Sequence, residues 1–155
     1  MILRHGDKEL TGHDPNLSQK GQTQALHFCE KVKAGRLPAP TALLVSTKKR
    51  TYQTLQPLSD TFKIPLTIKA ELTERVPGES VEKFRKRIQE FLVKLMLFSQ
   101  DRDVIYMCTH FDWIDEFLTV IECESDLSRC NHWPPAQHMV FEKRDLWYLT
   151  KYEGV

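Results

Sequence analysis

The sequence predicts a three-layer α/β/α fold with a mostly parallel central sheet and an antiparallel hairpin at one edge. Short apolar runs, such as those at 42–46 and 103–108, are hydrophobic at consecutive positions, as strands covered on both faces are. Segments with helical spacing of apolar residues separate these runs, and strands that alternate with helices form parallel sheets. The charged turn at 142–145 joins the last two strands into the hairpin.

The first strand and the first helix have clear boundaries. Residues 1–5 form a short buried strand, and a loop rich in charge, Gly and Pro follows as far as residue 16. Ser18 is then a good N-cap for a helix that ends near Ala34, because Gly35 follows it directly.

The middle of the chain repeats this alternation. After the strand at 42–46, a helix is predicted over 47–62, and Pro57 inside it should kink or break it. A brief strand at 66–68 comes next. Ser80 then begins the longest helix, whose apolar residues recur at helical spacing.

The last third supplies one more central strand and the hairpin. The strand at 103–108 is apolar on both faces, and His110 opens the helix that follows it. The closing strands are predicted at 137–141 and 146–149.

Size and charge restrict the protein class. At 155 residues and 18.2 kDa, the chain is expected to form one domain over residues 1–155. The formal net charge of +1 argues against a nucleic-acid or membrane-surface protein, since both usually carry a basic excess. The chain starts in its first strand, so we expect no signal peptide, and no run has the length of a membrane span.

The cysteines favour a reduced compartment. None of the four belongs to a C-x-x-C pair, which indicates free thiols in a cytoplasmic protein. Cys123, Cys130, His132 and His138 are residue types that bind zinc, but a loop with scattered polar residues explains them more simply. We therefore predict no metal and no cofactor.

Arg4-His5-Gly6 directly follows the apolar run that opens the chain. A guanidinium fork matches phosphate oxygens, an imidazole is a nitrogen nucleophile near neutral pH, and glycine lets the backbone approach an anion closely. Arg50 follows the second strand, and His110 ends another. We expect the strands before Arg4 and Arg50 to be adjacent, so that both guanidinium groups converge on one anion at the carboxyl edge of the sheet.

Longer runs accompany these residues in a fixed order. They are L-S-x-x-G-x-x-Q-A at 17–25, S-x-x-x-R-x-x-Q-T at 46–54, L-x-E-x-x-x-G at 72–78 and C-T-H at 108–110. With Arg4-His5-Gly6, this set resembles the histidine phosphatase superfamily, the clan of the cofactor-dependent phosphoglycerate mutases and their phosphatase relatives. The resemblance covers nearly the whole chain and implies the same three-layer fold.

The resemblance implies a role for each site residue. His5 is the nucleophile that becomes a transient phosphohistidine, and Arg4 and Arg50 clamp the phosphate. His110 binds the phosphoryl group and stabilises charge in the transition state. Glu74 is the proton donor, a role that a nearby phosphate supports because its negative charge favours the neutral carboxyl.

Two features leave alternatives open. Glu71 and Glu79 lie close enough in sequence to compete with Glu74 for the role of acid. Phe111 stands where the family more often has glycine after its second histidine, which we expect to narrow the pocket or alter the backbone approach. Gln22 and Gln53 belong to the motif runs, and surface amides are their simpler interpretation.

We predict a metal-independent phosphatase that acts on a phosphorylated small molecule or a phosphoprotein. A mutase-type phosphotransferase is the first alternative, but only a short span separates Gly6 from Leu17, and a mutase needs a lid that excludes water. A phosphate-binding scaffold without catalysis is the second alternative, although neither His5 nor Glu74 has been lost. The sequence makes no prediction of the oligomeric state.

Overall fold

A computed structural model describes residues 1–154, in which six strands and four α-helices alternate. The strands are β1 (Ile2–Arg4), β2 (Ala42–Val45), β3 (Leu66–Ile68), β4 (Ile105–Thr109), β5 (His138–Lys143) and β6 (Trp147–Glu153). The helices are α1 (Gln19–Lys33), α2 (Lys49–Phe62), α3 (Val81–Phe98) and α4 (Phe111–Val120), and a 3₁₀ turn spans Ala70–Leu72.

The strands form one sheet in the order β3-β2-β4-β1-β5-β6. The first four strands pair in parallel, and β5 pairs antiparallel with both β1 and β6. The predicted fold class is therefore confirmed. The expectation that β1 and β2 are adjacent is wrong, because β4 returns from the far edge and pairs with both of them. Cys108 stands in register with Leu3 on one side and Val45 on the other, so the three carboxyl ends are level.

Alternating strand residues divide the core between the two faces of the sheet. Ile2 and Met107 point into a cluster built from α3 and α4. Leu3 and Cys108 point into a second cluster, built from α1 and α2. Two-sided burial of this kind explains why the central strands are apolar at consecutive positions.

Most helix boundaries agree with the sequence signals. Ser18 caps α1 by accepting from Gly21 N at 3.1 Å, and Ser80 caps α3 through Lys83 N. Gly35 ends α1 with φ of 71°. Of the kink or break expected at Pro57, the break is wrong, because α2 continues through this residue to Phe62.

The final hairpin is longer than predicted. Strand β6 reaches Glu153, four residues past the expected end, because Lys151 and Glu153 pair with β5. Their polar side chains interrupt the apolar pattern from which the strand was predicted. Within residues 1–154, no helix is long and apolar enough to cross a membrane.

Candidate active site

The five residues predicted for the site meet at the carboxyl edge of the sheet. His5 follows β1 and His110 follows β4, which places their ring centroids 5.3 Å apart. Arg50 lies in the first turn of α2, where Nη2 is 3.0 Å from His110 Nδ1. Arg4 carries its charge close enough to lower the pKa of both histidines, and Glu74 contacts Arg50 from the loop after the 3₁₀ turn.

His5 is buried and has one ring nitrogen bound. Its Nδ1 is 2.7 Å from the carbonyl oxygen of Gly6, which can only accept, so Nδ1 carries the proton. The lone pair of the neutral ring is then on Nε2. Burial first, and the positive charges of Arg50 and Arg4 next, lower the pKa of His5 to about 3, although the Gly6 hydrogen bond opposes them. The imidazole is therefore neutral and nucleophilic at physiological pH.

His110 holds the opposite tautomer. The Thr51 hydroxyl donates to the Lys48 carbonyl at 2.8 Å, so it accepts from the Ser46 hydroxyl at 3.0 Å. Ser46 Oγ in turn accepts from His110 Nε2 at 2.8 Å, while Arg50 donates to Nδ1. Burial first, and then the repulsion that a protonated His5 and the Arg50 guanidinium would exert on the imidazolium form, lower the pKa of His110 to about 2. The neutral ring thus turns an acceptor toward Arg50.

Two carboxylates hold the Arg50 guanidinium. Nη2 donates to the Glu74 carboxylate, and Nη1 is 3.6 Å from Asp14 Oδ1. Asp14 also accepts from Lys49 N at 3.3 Å, at the start of α2, and Lys48 Nζ lies 3.8 Å from Glu74. Glu74 Oε2 is 3.4 Å from His110 Nδ1. The Glu74 carboxylate, the His110 imidazole and the Arg50 guanidinium therefore all contact one another.

Two buried guanidinium nitrogens at this edge of the sheet lack a hydrogen-bond acceptor within residues 1–154. They are Nε of Arg4 and Nε of Arg50. At the end of the Arg4 side chain, Nη1 donates to the Trp133 carbonyl oxygen. A buried donor without a partner costs free energy, so an anion that accepts from these groups binds favourably.

The two competing glutamates lie elsewhere. Glu79 accepts from Arg87 Nη2 at 2.8 Å, a pairing that lowers the pKa of its carboxyl. Glu71 lines a groove between α3 and the strands β2 and β3. Of the three carboxylates considered, Glu74 is the one in contact with Arg50 and His110.

Ser46 and Asp14 are site residues that the sequence analysis missed. Ser46 is the first letter of the S-x-x-x-R run, and its spacing from Arg50 was the available signal. Asp14 gave no signal, because its contact with Arg50 depends on how the loop at 8–16 folds back. Gln53 is not the surface amide that was expected, since its Oε1 accepts from Leu17 N at 2.8 Å, whereas Gln22 is exposed.

The remaining histidines and cysteines do not form a site. His138 is buried in β5 with its ring 5.2 Å from that of Phe28. His132 is exposed, and Cys130 is buried in the core. Among residues 1–154, no three His, Cys, Asp or Glu side chains are grouped closely enough to hold a metal ion.

Comparisons with known proteins agree with this geometry. A sequence profile of the histidine phosphatase superfamily (branch 1) matches residues 1–78, half of the chain. The fold is similar to that of a chain described as the phosphohistidine phosphatase SixA of Agrobacterium tumefaciens, at 19% identity and a TM-score of 0.73 over 99% of this chain and 96% of that one. No curated protein matches the sequence.

Two further solved structures are similar at lower identity. A mycobacterial glucosyl-3-phosphoglycerate phosphatase has 15% identity and a TM-score of 0.78, over 99% of this chain and 97% of that one. A phosphoserine phosphatase of Entamoeba histolytica, in complex with 3-phosphoglyceric acid, has 15% identity and a TM-score of 0.76, over 99% and 95%. At these identities the likeness establishes the fold.

Neutral buried histidines make the stability of the protein sensitive to acid. His5, His110 and His138 have pKa values lowered to about 3, 2 and 4, whereas an unfolded histidine titrates near pH 6.5. Below about pH 6.5 the unfolded chain therefore binds protons that the folded chain does not. The contribution of these three histidines to the free energy of unfolding should be level above about pH 7 and fall toward pH 4, by up to about 1.4 kcal/mol per pH unit for each histidine.

Urea unfolding at a series of pH values measures this slope. Replacement of one buried histidine, in His5→Asn, should make the slope shallower by about 1.4 kcal/mol per pH unit. An identical slope in this variant contradicts a neutral His5 in the folded protein.

Proposed function

The chain belongs to the histidine phosphatase superfamily, and we propose that it is a phosphatase that transfers a phosphoryl group to His5 and then to water. The substrate is a phosphorylated small molecule or a phosphoprotein. One observation carries the proposal: His5, which keeps a free lone pair on Nε2, lies close enough to Arg4 and Arg50 for both charges to lower its pKa, and each guanidinium has a buried Nε–H without an acceptor within residues 1–154. A nucleophile and an oxyanion site thereby coincide.

In the first step, the phosphoryl group binds to Arg4 and Arg50 and His5 Nε2 attacks phosphorus. The new N–P bond forms as the bond from phosphorus to the leaving oxygen breaks. The Glu74 carboxyl gives its proton to that oxygen, so the substrate leaves as a neutral alcohol. The Gly6 carbonyl, which accepts from Nδ1, stabilises the positive charge that develops on the ring.

In the second step, water attacks the phosphohistidine. The Glu74 carboxylate takes a proton from the water, the N–P bond breaks, and its electron pair returns to His5 Nε2. Inorganic phosphate then leaves Arg4 and Arg50. Enzyme and proton are restored, so the cycle needs no further reactant.

Arg50 connects substrate binding to the protonation of Glu74. In the free site the guanidinium pairs with the Glu74 carboxylate. A bound phosphate dianion takes over this guanidinium, and its charge favours a neutral carboxyl on Glu74. His110 must likewise take up a proton on Nδ1 to donate to a phosphoryl oxygen, because Nδ1 accepts from Arg50 in the free site.

The loop between β1 and α1 favours hydrolysis over mutase-type transfer. Lys8 and Leu17 form an isolated bridge, and Glu9 N donates to the Asn16 carbonyl at 3.0 Å. The loop is thus a short closed turn that sends Asp14 to Arg50. A mutase must keep water from its intermediate, and a turn of this size covers little of the site. The named activities of the three similar structures are also phosphatase activities.

The nucleophile is tested by His5→Ala. Because the proposed mechanism places the covalent bond on His5, phosphate release from an aryl phosphate should fall to the level of the buffer, while the circular dichroism spectrum is retained. His132→Ala, at an exposed histidine, is the matched control and should keep full activity. Turnover retained in His5→Ala ends the covalent mechanism, and isomerisation of a phosphoglycerate without phosphate release supports the mutase.

The acid is tested by Glu74→Gln with two leaving groups. An alkyl ester needs a proton on its leaving oxygen, so kcat/KM should fall about 10²-fold or more. p-Nitrophenyl phosphate has a good leaving group and should lose far less in this first step. Glu71→Gln is the matched control, since Glu71 lines the groove beside α3 and its carboxylate is not paired with Arg50 or His110. Equal losses on both esters argue against proton donation by Glu74.

Metal independence follows from the charges that the chain supplies itself. Arg4 and Arg50 neutralise the phosphoryl oxygens, a task that Mg²⁺ performs in kinases and GTPases. Initial rates should therefore be the same with and without excess EDTA. A loss of activity that added divalent metal restores contradicts this proposal.

A further inference from the structure

Phe111 is a large apolar side chain exposed at the edge of the site. It occupies the first position of α4, directly after His110, and is 47% exposed. The Arg4 guanidinium carbon lies 5.7 Å from the centre of its ring. One guanidinium group thus separates this ring from the place where a phosphoryl group binds. The residue is therefore partly accessible at this edge of the site.

The direction of the leaving group brings it toward this ring. His5 is buried, and in-line transfer places the leaving oxygen on the side of phosphorus away from Nε2, which is the open side of the site. Glu74, the proposed donor to that oxygen, contacts His110 on this side. The backbone N–H of Arg75 donates to Asp112 Oδ2 at 2.8 Å, which ties the Glu74 loop to the first turn of α4. The leaving group therefore exits between that loop and Phe111.

We propose that Phe111 forms a binding subsite for a planar aromatic leaving group, so that preferred substrates carry the phosphoryl group directly on an aromatic ring. The inference rests on the proposed phosphatase function and names its substrate class. Because Arg4 lies next to Phe111, a ring attached through one atom to a phosphorus bound by Arg4 enters the neighbourhood of Phe111, and aromatic pairs attract each other at centroid separations of about 4.5–7 Å. A phenolic phosphate and a phosphorylated imidazole share this property.

The subsite is tested by the ratio of kcat/KM for phosphotyrosine to kcat/KM for phosphoserine. Intrinsic reactivity differs between the two esters, but it is the same for every enzyme variant, so a change in the ratio reports the side chain. Phe111→Leu keeps an apolar side chain without a planar face, and the ratio should fall about 2- to 10-fold, the range of one aromatic pair. Phe111→Tyr keeps the ring and should keep the ratio.

A second arm separates the two sources of an aromatic leaving group. Phosphohistidine is compared with phosphoramidate, which has a nitrogen leaving group without a ring, in the wild-type chain and in Phe111→Leu. A fall in the phosphotyrosine ratio alone assigns the subsite to a phenol. A fall in the phosphohistidine ratio alone assigns it to an imidazole.

The outcomes that overturn the inference differ from those that overturn the function. If the wild-type chain hydrolyses the substrates and Phe111→Leu lowers all rates equally, Phe111 only supports Arg4 and the stacking subsite does not exist. Unchanged ratios in both arms lead to the same conclusion, and the phosphatase function stands. If the wild-type chain releases no more phosphate than His5→Ala, the proposed function and this inference fail together.

Discussion

The site depends on one buried cation. Arg50 is 3% exposed, and a guanidinium removed from water costs several kcal/mol unless anions and acceptors compensate it. Those partners come from three distant segments: Glu74 from the loop before α3, Asp14 from the loop before α1, and His110 from the end of β4. Contacts with Arg50 therefore connect these three segments at one edge of the sheet. An anionic substrate that binds Arg50 therefore replaces partners that already compensate the charge of the guanidinium.

The two histidines of the site have opposite tautomers. His5 is protonated on Nδ1 and His110 on Nε2, because a carbonyl oxygen binds the first nitrogen and the Ser46 hydroxyl the second. Each ring is thus left with one unprotonated nitrogen, which in His110 accepts from Arg50. Two neutral rings 5.3 Å apart avoid the repulsion that two imidazolium ions would suffer there. The arrangement gives a nucleophile and a latent proton acceptor in one small volume.

The sequence allowed the strands and helix caps to be predicted, because each has a local signature, and the motif runs named five residues that the structure brings together. Ser18 and Ser80 cap their helices, and Gly35 ends one, for reasons visible within a few residues. The position of β4 between β1 and β2 has no such signature, because the order of strands in a sheet depends on contacts between segments that are far apart in the sequence. The contact of Asp14 with Arg50 is likewise a property of the folded loop.

The longer motif runs act on the nucleophile through the backbone. Gly6 N donates to Thr54 Oγ1 at 3.0 Å, and Asp7 N donates to Gln24 Oε1 at 2.8 Å. Gly21 permits this approach, because a Cβ there would lie 2.0 Å from the Asp7 carbonyl oxygen. The peptide held in this way carries the Gly6 carbonyl, which selects the tautomer of His5. Residues of the runs at 17–25 and 46–54 thus determine which nitrogen of His5 keeps its lone pair.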